Sequence, residues 1–377
     1  MRYLNLLGYV AIPFAFLVHF WLGKGKPWEP TATFVLAALG VIPLAQLMGQ
    51  ATEHLSERTG PTWGGLLNAT FGNAAELIIA VIAMTKGLNE IVKASLTGSI
   101  LGNLLLVAGA AMVVGGWGRE KQTFSRANAE SSSGLLLLAV AALMFPAIFH
   151  HSFHLTDPEL VQHEHRVSLG TSIILLVVYG LGLLFTLRTH AHVFSRAPAQ
   201  GPEDPGFGHG ELWSVKRSVG MLLAAAVGVG LVAELLVGSA EVMAQRLGWN
   251  HVFVGVILLA IIGNAAEHST AVLLARRNDM DTAMTITYQS SLQIALFVTP
   301  ALVLLSAVFV AAGVGHATHL DLLFTPMEVV AVLLAVLITA VLGLDGETNW
   351  FEGVLLLALY AVLGIAFFFI PSTAAGH

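Results

Sequence analysis

The sequence predicts an all-α polytopic membrane protein of about 11 transmembrane helices: one N-terminal helix followed by two inverted five-helix repeats. Three observations predict it. Charged residues make up 11% of the 377 residues and hydrophobic residues 56%, whereas soluble domains carry roughly 25% charge. Apolar runs near or above about 20 residues recur from end to end, the length a helix needs to cross hydrocarbon. The pentapeptide Gly72-Asn73-Ala74-Ala75-Glu76 returns unchanged as Gly263-Asn264-Ala265-Ala266-Glu267. A soluble enzyme with a single anchor is excluded, because the one polar interval is only about 30 residues long. A net charge of −6 with no basic cluster leaves no footprint for nucleic acid. With no cysteine, disulfides, thiolate metal sites, iron–sulfur clusters and cysteine nucleophiles are excluded together.

Proline, glycine and charge clusters divide the chain into eleven apolar segments, roughly 4–22, 31–52, 62–85, 94–117, 133–150, 167–187, 218–243, 251–275, 282–311, 326–343 and 350–370. The first follows Arg2 and lacks a small-x-small cleavage site, so it reads as a span and not a removed signal. All are expected to be helices, because unpaired backbone in hydrocarbon is too costly and the segments are too long for barrel strands. The predicted organisation is an extra helix at 1–30, a first repeat at 31–187, a linker at 188–217 and a second repeat at 218–377. Pro198, Pro202 and Pro205, with Gly201, Gly206, Gly208 and Gly210, mark the linker.

Basic residues orient the chain. Arg2, Arg58, Arg119, Lys121, Arg126, Arg188, Arg196, Lys216, Arg217, Arg276 and Arg277 fall on one face; Lys24, Lys26, Lys86, Lys93, Arg166 and Arg246 fall on the other. The positive-inside rule then places the N-terminus and the linker in the cytoplasm and the C-terminus outside. No organellar targeting feature is evident, so the expected location is a prokaryotic-type plasma membrane.

The two pentapeptides are offset by 191 positions (72 to 263), each in mid-span, and Ser99 aligns with Ser290 at the same offset. One span upstream, Ala51-Thr52-Glu53 matches Ser239-Ala240-Glu241. A five-span unit has an odd number of crossings, so its second copy enters from the opposite side, the inverted-repeat architecture of many secondary transporters. An ionised carboxylate in mid-bilayer costs several kcal/mol, about 3 by insertion scales. No Lys or Arg lies in the interior of a span to neutralise Glu76 or Glu267. A proton or a bound cation remains. Two facing glutamates are neutralised by two protons or by one divalent ion, and the two states exclude each other, which is the basis of exchange. Gly72 and Gly263 allow the spans to unwind, while Asn73 and Asn264 can bond freed backbone groups or coordinate an ion. Carboxylate, amide and carbonyl oxygens suit Ca²⁺ above all, and Mn²⁺ suits the same ligands; the absence of thiolate or clustered imidazole argues against zinc and copper. Small-xxx-small packing accounts for Gly-Asn-Ala-Ala alone, but packing does not require a buried acid.

Gly65-Leu66-Leu67-Asn68-Ala69-Thr70-Phe71-Gly72-Asn73-Ala74-Ala75-Glu76-Leu77-Ile78 and Gly263-Asn264-Ala265-Ala266-Glu267-His268 resemble the signature helices of the Ca²⁺/H⁺ (cation/proton) exchangers of the Ca²⁺/cation antiporter superfamily. Ser95 to Asn103 and Ser290 to Pro300 look like that family's following helices, and the resemblance covers nearly the whole chain. It implies eleven spans, with Glu76 and Glu267 as a shared Ca²⁺/H⁺ site and Asn73, Asn264, Ser99, Ser290 and Gln293 near it. It also implies export of cytoplasmic Ca²⁺ for external H⁺ by alternating access, with no cofactor. Two features depart from the family. Gln289 stands where a glycine usually precedes the paired serines, and the linker holds only Glu203, Asp204 and Glu211, so regulation by an acidic helix does not carry over.

Glu53 and Glu241 could relay protons or guide cations, or be plain interfacial carboxylates; Glu234 lies deeper in its span, which favours the pathway reading. His268 could tune Glu267, although an adjacent helical residue points about 100° away and packing serves as well. His150, His151, His154, His163 and His165, with Asp157, Glu159 and Glu164, could bind a metal or sense pH; solvated loop histidines are the preferred reading. A His-Glu-x-x-His pair is absent, which leaves an intramembrane metalloprotease unsupported. Acidic rings would suit a cation channel, but inverted repeats with mid-membrane breaks favour a transporter. A Na⁺ or K⁺/H⁺ antiporter is the nearest rival.

Overall fold

The computed structural model describes residues 2–153, 158–190 and 212–371. Each predicted segment is occupied by a helix: α1 Asn5–Leu22, α2 Glu29–Thr59, α3 Trp63–Thr85, α4 Asn89–Gly116, α5 Arg126–His150, α6 Gln162–Thr189, α7 Val215–Leu247, α8 as the pair His251–Gly263 and Ala265–Arg276, α9 Met280–Ala312, α10 Pro326–Leu342 and α11 Trp350–Phe368. Among the described residues, nine of these are long and apolar enough to cross a membrane, ten when the bent pair counts as one span. The 17-residue α10 sits at the short limit.

Several helices outrun their predicted bounds. Helix α2 was expected at 31–52, α5 at 133–150 and α7 at 218–243; they run Glu29–Thr59, Arg126–His150 and Val215–Leu247. Hydropathy marks the apolar slab, whereas a helix ends where its backbone is capped. At α7 the Ser214 hydroxyl accepts from the Arg217 N–H, and Gly248 closes the other end with a left-handed φ of 68°. The expected loop holding the histidine run is likewise largely helical, flanked by Arg126–Phe153 and Pro158–Leu184. Positions 154–157, including His154 and Asp157, and most of the linker, 191–211, with Glu203, Asp204 and Glu211, lie outside the described residues.

Burial sorts the helices. In α4, 78% of the apolar window is buried, against 17% in α6 and 22% in α1. Helix α6 turns Ile173, Ile174, Val177 and Leu181 outward, a face suited to lipid. Helix α4 is enclosed by α3, α8, α9, α10 and α11. Small residues make this enclosure possible. A Cβ on Gly353 of α11 would stand 2.5 Å from the Gly109 carbonyl oxygen and 2.7 Å from Met112 Cβ.

Basic residues tie loops together at both ends of the bundle. At one end, Arg58 donates to the Leu212 and Trp213 carbonyls, Arg119 to that of Arg276, and Lys121 pairs with Glu347 at 2.6 Å. A short antiparallel pairing of Gln122–Thr123 with Glu347–Thr348 ties two loops together there. At the opposite end, Lys93 Nζ bonds Asp321 at 2.9 Å and the Leu323 carbonyl, and Asn89 bonds Thr318 and the His319 carbonyl. The 313–325 loop is thereby fastened over the start of α4. Glu328, 3% exposed, anchors the same region: it completes a capping box with Thr325 and accepts from Thr97 of α4.

Gly353→Leu is expected to lower stability by about 1–3 kcal/mol through overpacking. Gly170→Leu is expected to be neutral, because a Cβ at that position would meet nothing within 4 Å. Thermal unfolding in detergent compares the two.

Candidate functional site

Both pentapeptides break their helices. In α3 the helix lapses at Gly72–Asn73 and resumes at Ala74; in α8 it lapses at Asn264 and resumes at Ala265 with a bend of 62°. Asn73 (φ −101°, ψ 29°) and Asn264 (φ −92°, ψ 4°) each leave helical geometry. Glu76 and Glu267 therefore both sit in the first turn of a half-helix, where free N–H groups favour negative charge.

The two glutamates line one cavity of about 460 Å³, together with Gly72, Gly263, Ser290 and Gln293. Glu76 lies over the opposite break: a Cβ on Gly263 would come 3.5 Å from Glu76 Cγ. Among the described residues, no Lys or Arg lines the cavity. It extends along Asn68, Gly65, Thr270 and Gln289 to Glu53, Ser56 and Glu57, the end of the molecule marked by Arg58 and Arg276. Toward the other end α4 packs directly on the first half of α8, and no continuation of the cavity is seen among the described residues.

A buried amide and hydroxyl network backs the carboxylates. Asn73 Nδ2 donates to Gln293 Oε1 at 2.6 Å, and Ser290 Oγ donates to Asn73 Oδ1 at 3.1 Å while accepting from Asn103 Nδ2 at 2.9 Å. Asn264 Nδ2 donates to Ser99 Oγ at 2.9 Å and to the Ala260 carbonyl. Both asparagines cross-link opposite halves of the chain, so each break is held by the helix that follows the other. Two oxygens in this shell, Glu267 Oε2 and Asn264 Oδ1, are buried with no hydrogen-bond partner among the described residues. Buried acceptors left so are costly, and a cation or a proton would relieve them. Among the described residues, no three or more His, Asp or Glu side chains gather to hold a metal. Any ion here is held by two carboxylates plus amide and hydroxyl oxygens, a set that suits a hard cation.

The predicted residues are thus divided. Glu76, Glu267, Ser290 and Gln293 line the cavity, with Asn73, Asn264 and Ser99 directly behind it. Glu53 lines its outer part. Glu234 does not: it is exposed and pairs with Lys86 at 2.5 Å, because the end of α3 brings a lysine to it that linear spacing could not show. Glu241 is likewise absent from the cavity wall. His268 packs toward α4, its Cε1 3.7 Å from a Cβ placed on Gly102, as its helical angle from Glu267 requires. His150 pairs with Glu164 at 2.5 Å and the His165 ring lies tilted against that of His319, centroids 4.3 Å apart, so these two are not free loop imidazoles. Asn103 was not singled out by the repeat, because the position 191 further on is Ile294.

A broken-helix bundle with paired mid-span acids defines the class: a multi-pass membrane transporter of the exchanger kind. The family described as sodium/calcium exchanger protein matches twice, at residues 29–188 and 217–369, and the chain belongs to it. The chain is 43% identical over 376 residues to a Ca²⁺/H⁺ antiporter of Synechocystis sp., covering 96% of each. It is 42% identical over 351 residues to the Ca²⁺/H⁺ antiporter ChaA of Bacillus subtilis, covering 92% of this chain and 95% of that one. The solved structure of native YfkE superimposes with a TM-score of 0.79 at 38% identity, covering 97% of this chain and all of that one (100%).

Asn264→Ala removes the donor that joins the α8 break to Ser99. The expected loss is about 1–3 kcal/mol of stability, typical of leaving a buried partner unpaired. Chemical or thermal unfolding of the purified protein measures it.

Proposed function

We propose that the protein exchanges cytoplasmic Ca²⁺ for external H⁺ across a prokaryotic-type plasma membrane, by alternating access between two inverted repeats at 31–187 and 218–377. The observation that carries this reading is the shared cavity: two glutamates, one from each helix break, with no Lys or Arg on the wall among the described residues. Two carboxylates in one desolvated space repel when both are ionised. A divalent cation between them, or a proton on each, removes the repulsion, and neither can be added while the other is present. Binding one substrate therefore requires release of the other, which is the coupling an exchanger needs. The Ca²⁺/H⁺ names of the relatives favour the same pair of substrates.

In this reading the Arg58 end faces the cytoplasm, with the N-terminus on that side and the C-terminus outside, as the distribution of basic residues favours. The open cavity is then the inward-facing state. Ca²⁺ enters past Glu53 and is bound by Glu76 and Glu267, with oxygens of Asn73, Asn264, Ser99, Ser290 and Gln293 positioning the carboxylates or completing the shell. The bundle rocks, external protons reach the same carboxylates, and the ion leaves. The protonated pair, now neutral, returns.

Everted membrane vesicles acidified inside provide the test. Added Ca²⁺ is expected to collapse the pH gradient, whereas Na⁺ or K⁺ at equal ionic strength is not; the reverse result identifies a monovalent exchanger. A Mn²⁺ arm defines how far selectivity rests on the oxygen donor set. Glu76→Gln and Glu267→Gln are each expected to reduce Ca²⁺-dependent proton release at least about a hundredfold, because one missing charge leaves the divalent ion undercompensated. Full activity in both variants would falsify the shared site.

Lowering pH on the cytoplasmic face is expected to raise the apparent KM for Ca²⁺, since protons compete for the same two carboxylates. The shift should approach about tenfold per pH unit for each proton displaced. A KM indifferent to pH would separate the proton site from the cation site.

A further inference from the structure

The two ends of the bundle carry unlike residues at equivalent helix positions. At the end opposite the cavity, α4 meets the first half of α8 at backbone contact. A Cβ on Gly98 would fall 2.5 Å from Val256 Cα and inside the radius of the Val256 carbonyl oxygen, so only glycine permits the approach. Gly255 is equally constrained, by Ala94 Cβ and by the Ser95 nitrogen at 3.0 Å. At the repeat offset of 191, Gly98 corresponds to Gln289, while Gly255 and Val256 correspond to Gly64 and Gly65. Gln289 and Gly65 both line the open cavity, on α9 and α3 respectively.

We propose that Gln289 is a positioning residue that biases the protein toward the state with the cavity open at the Arg58 end. The inference rests on the alternating-access reading above. When the repeats exchange roles, α9 must close on the first half of α3 as α4 now closes on α8. A Cβ at position 289 would then occupy the space that Gly98 leaves empty. The same close approach is forbidden by overlap, and the α9–α3 closure must stay wider than the α4–α8 closure. Gly65, lacking the Val256 side chain, relieves part of the crowding but not the overlap with its backbone. The state closed at the cavity end is therefore the less tightly packed of the two, and a population shift follows. The glutamates consequently rest facing the side from which Ca²⁺ is collected.

The chain contains no cysteine, so a single Thr270→Cys in the cavity wall is the only target for a membrane-impermeant maleimide applied to everted vesicles. In this background Gln289→Gly is expected to slow labelling by roughly threefold or more, as the closed-mouth state becomes populated. Gln289→Ala retains the Cβ and is expected to label like the parent. Gly65→Ala adds bulk to the facing wall, where the nearest atoms belong to the movable Leu187 side chain. It is expected to keep the apparent KM for Ca²⁺ and lower the maximal exchange rate. Unchanged labelling in Gln289→Gly, or equal slowing in Gln289→Ala, overturns the proposal; so does an undiminished maximal rate in folded Gly65→Ala, which keeps the test decisive where Gln289→Gly does not fold. Parent labelling should respond to saturating Ca²⁺ and to the imposed pH gradient. If it responds to neither, alternating access fails and the inference with it; if it responds while Gln289→Gly has no effect, only the role of Gln289 fails.

Discussion

Two carboxylates in the middle of an apolar bundle, without a basic partner, are the constraint on which the rest of this structure depends. A charge there is tolerated only when something neutralises it, and among the described residues no Lys or Arg lies on the cavity wall. The surrounding features serve that condition. The helices break one turn before each glutamate, which places the acids where unpaired backbone donors point. The asparagines at the breaks are held by hydroxyl and amide groups from the opposite half, so the two sites are assembled as one.

That cross-linking runs through α4, the most buried span among the described residues, and ties it to the break in α8. Helix α4 supplies Ser99 and Asn103, and α9 supplies Ser290 and Gln293; each lends its hydroxyl to the asparagine network of the other half. Both helices also carry a wider π-helical turn at this level, Gly102–Val107 in α4, which includes Asn103, and Ile294–Val298 in α9, directly after Gln293. Such turns are frequent at functional sites because they rotate side chains out of regular register. Their equivalence in the two halves follows the repeat even though the residues within them differ.

Inverted repeats alone would give two equal ends. Among the described residues the cavity opens at one end, while at the other α4 and α8 meet at glycine contacts and the 313–325 loop is fastened by Lys93 and Asn89. The mid-membrane site belongs to both halves, but the route to it is set by which pair of half-helices is in contact. Gln289 opposite Gly98 is one departure from the repeat at these contacts.

The sequence by itself determined the order of the apolar helices, the places where two of them break, and the two acids at those breaks. These follow from composition and local pattern: hydrocarbon demands apolar helices, and a repeated motif announces itself at a constant offset. Helix ends were less legible, because capping at Ser214 or Gly248 operates in water beyond the apolar slab. Only the tertiary structure decided which polar residues share the cavity. Glu234 was drawn to Lys86, His268 turned toward Gly102, and Asn103 joined Ser290 without a counterpart in the second repeat. Each of those outcomes depends on which helix lies alongside which, and a pairing between residues 148 to 187 positions apart leaves no mark in the local sequence.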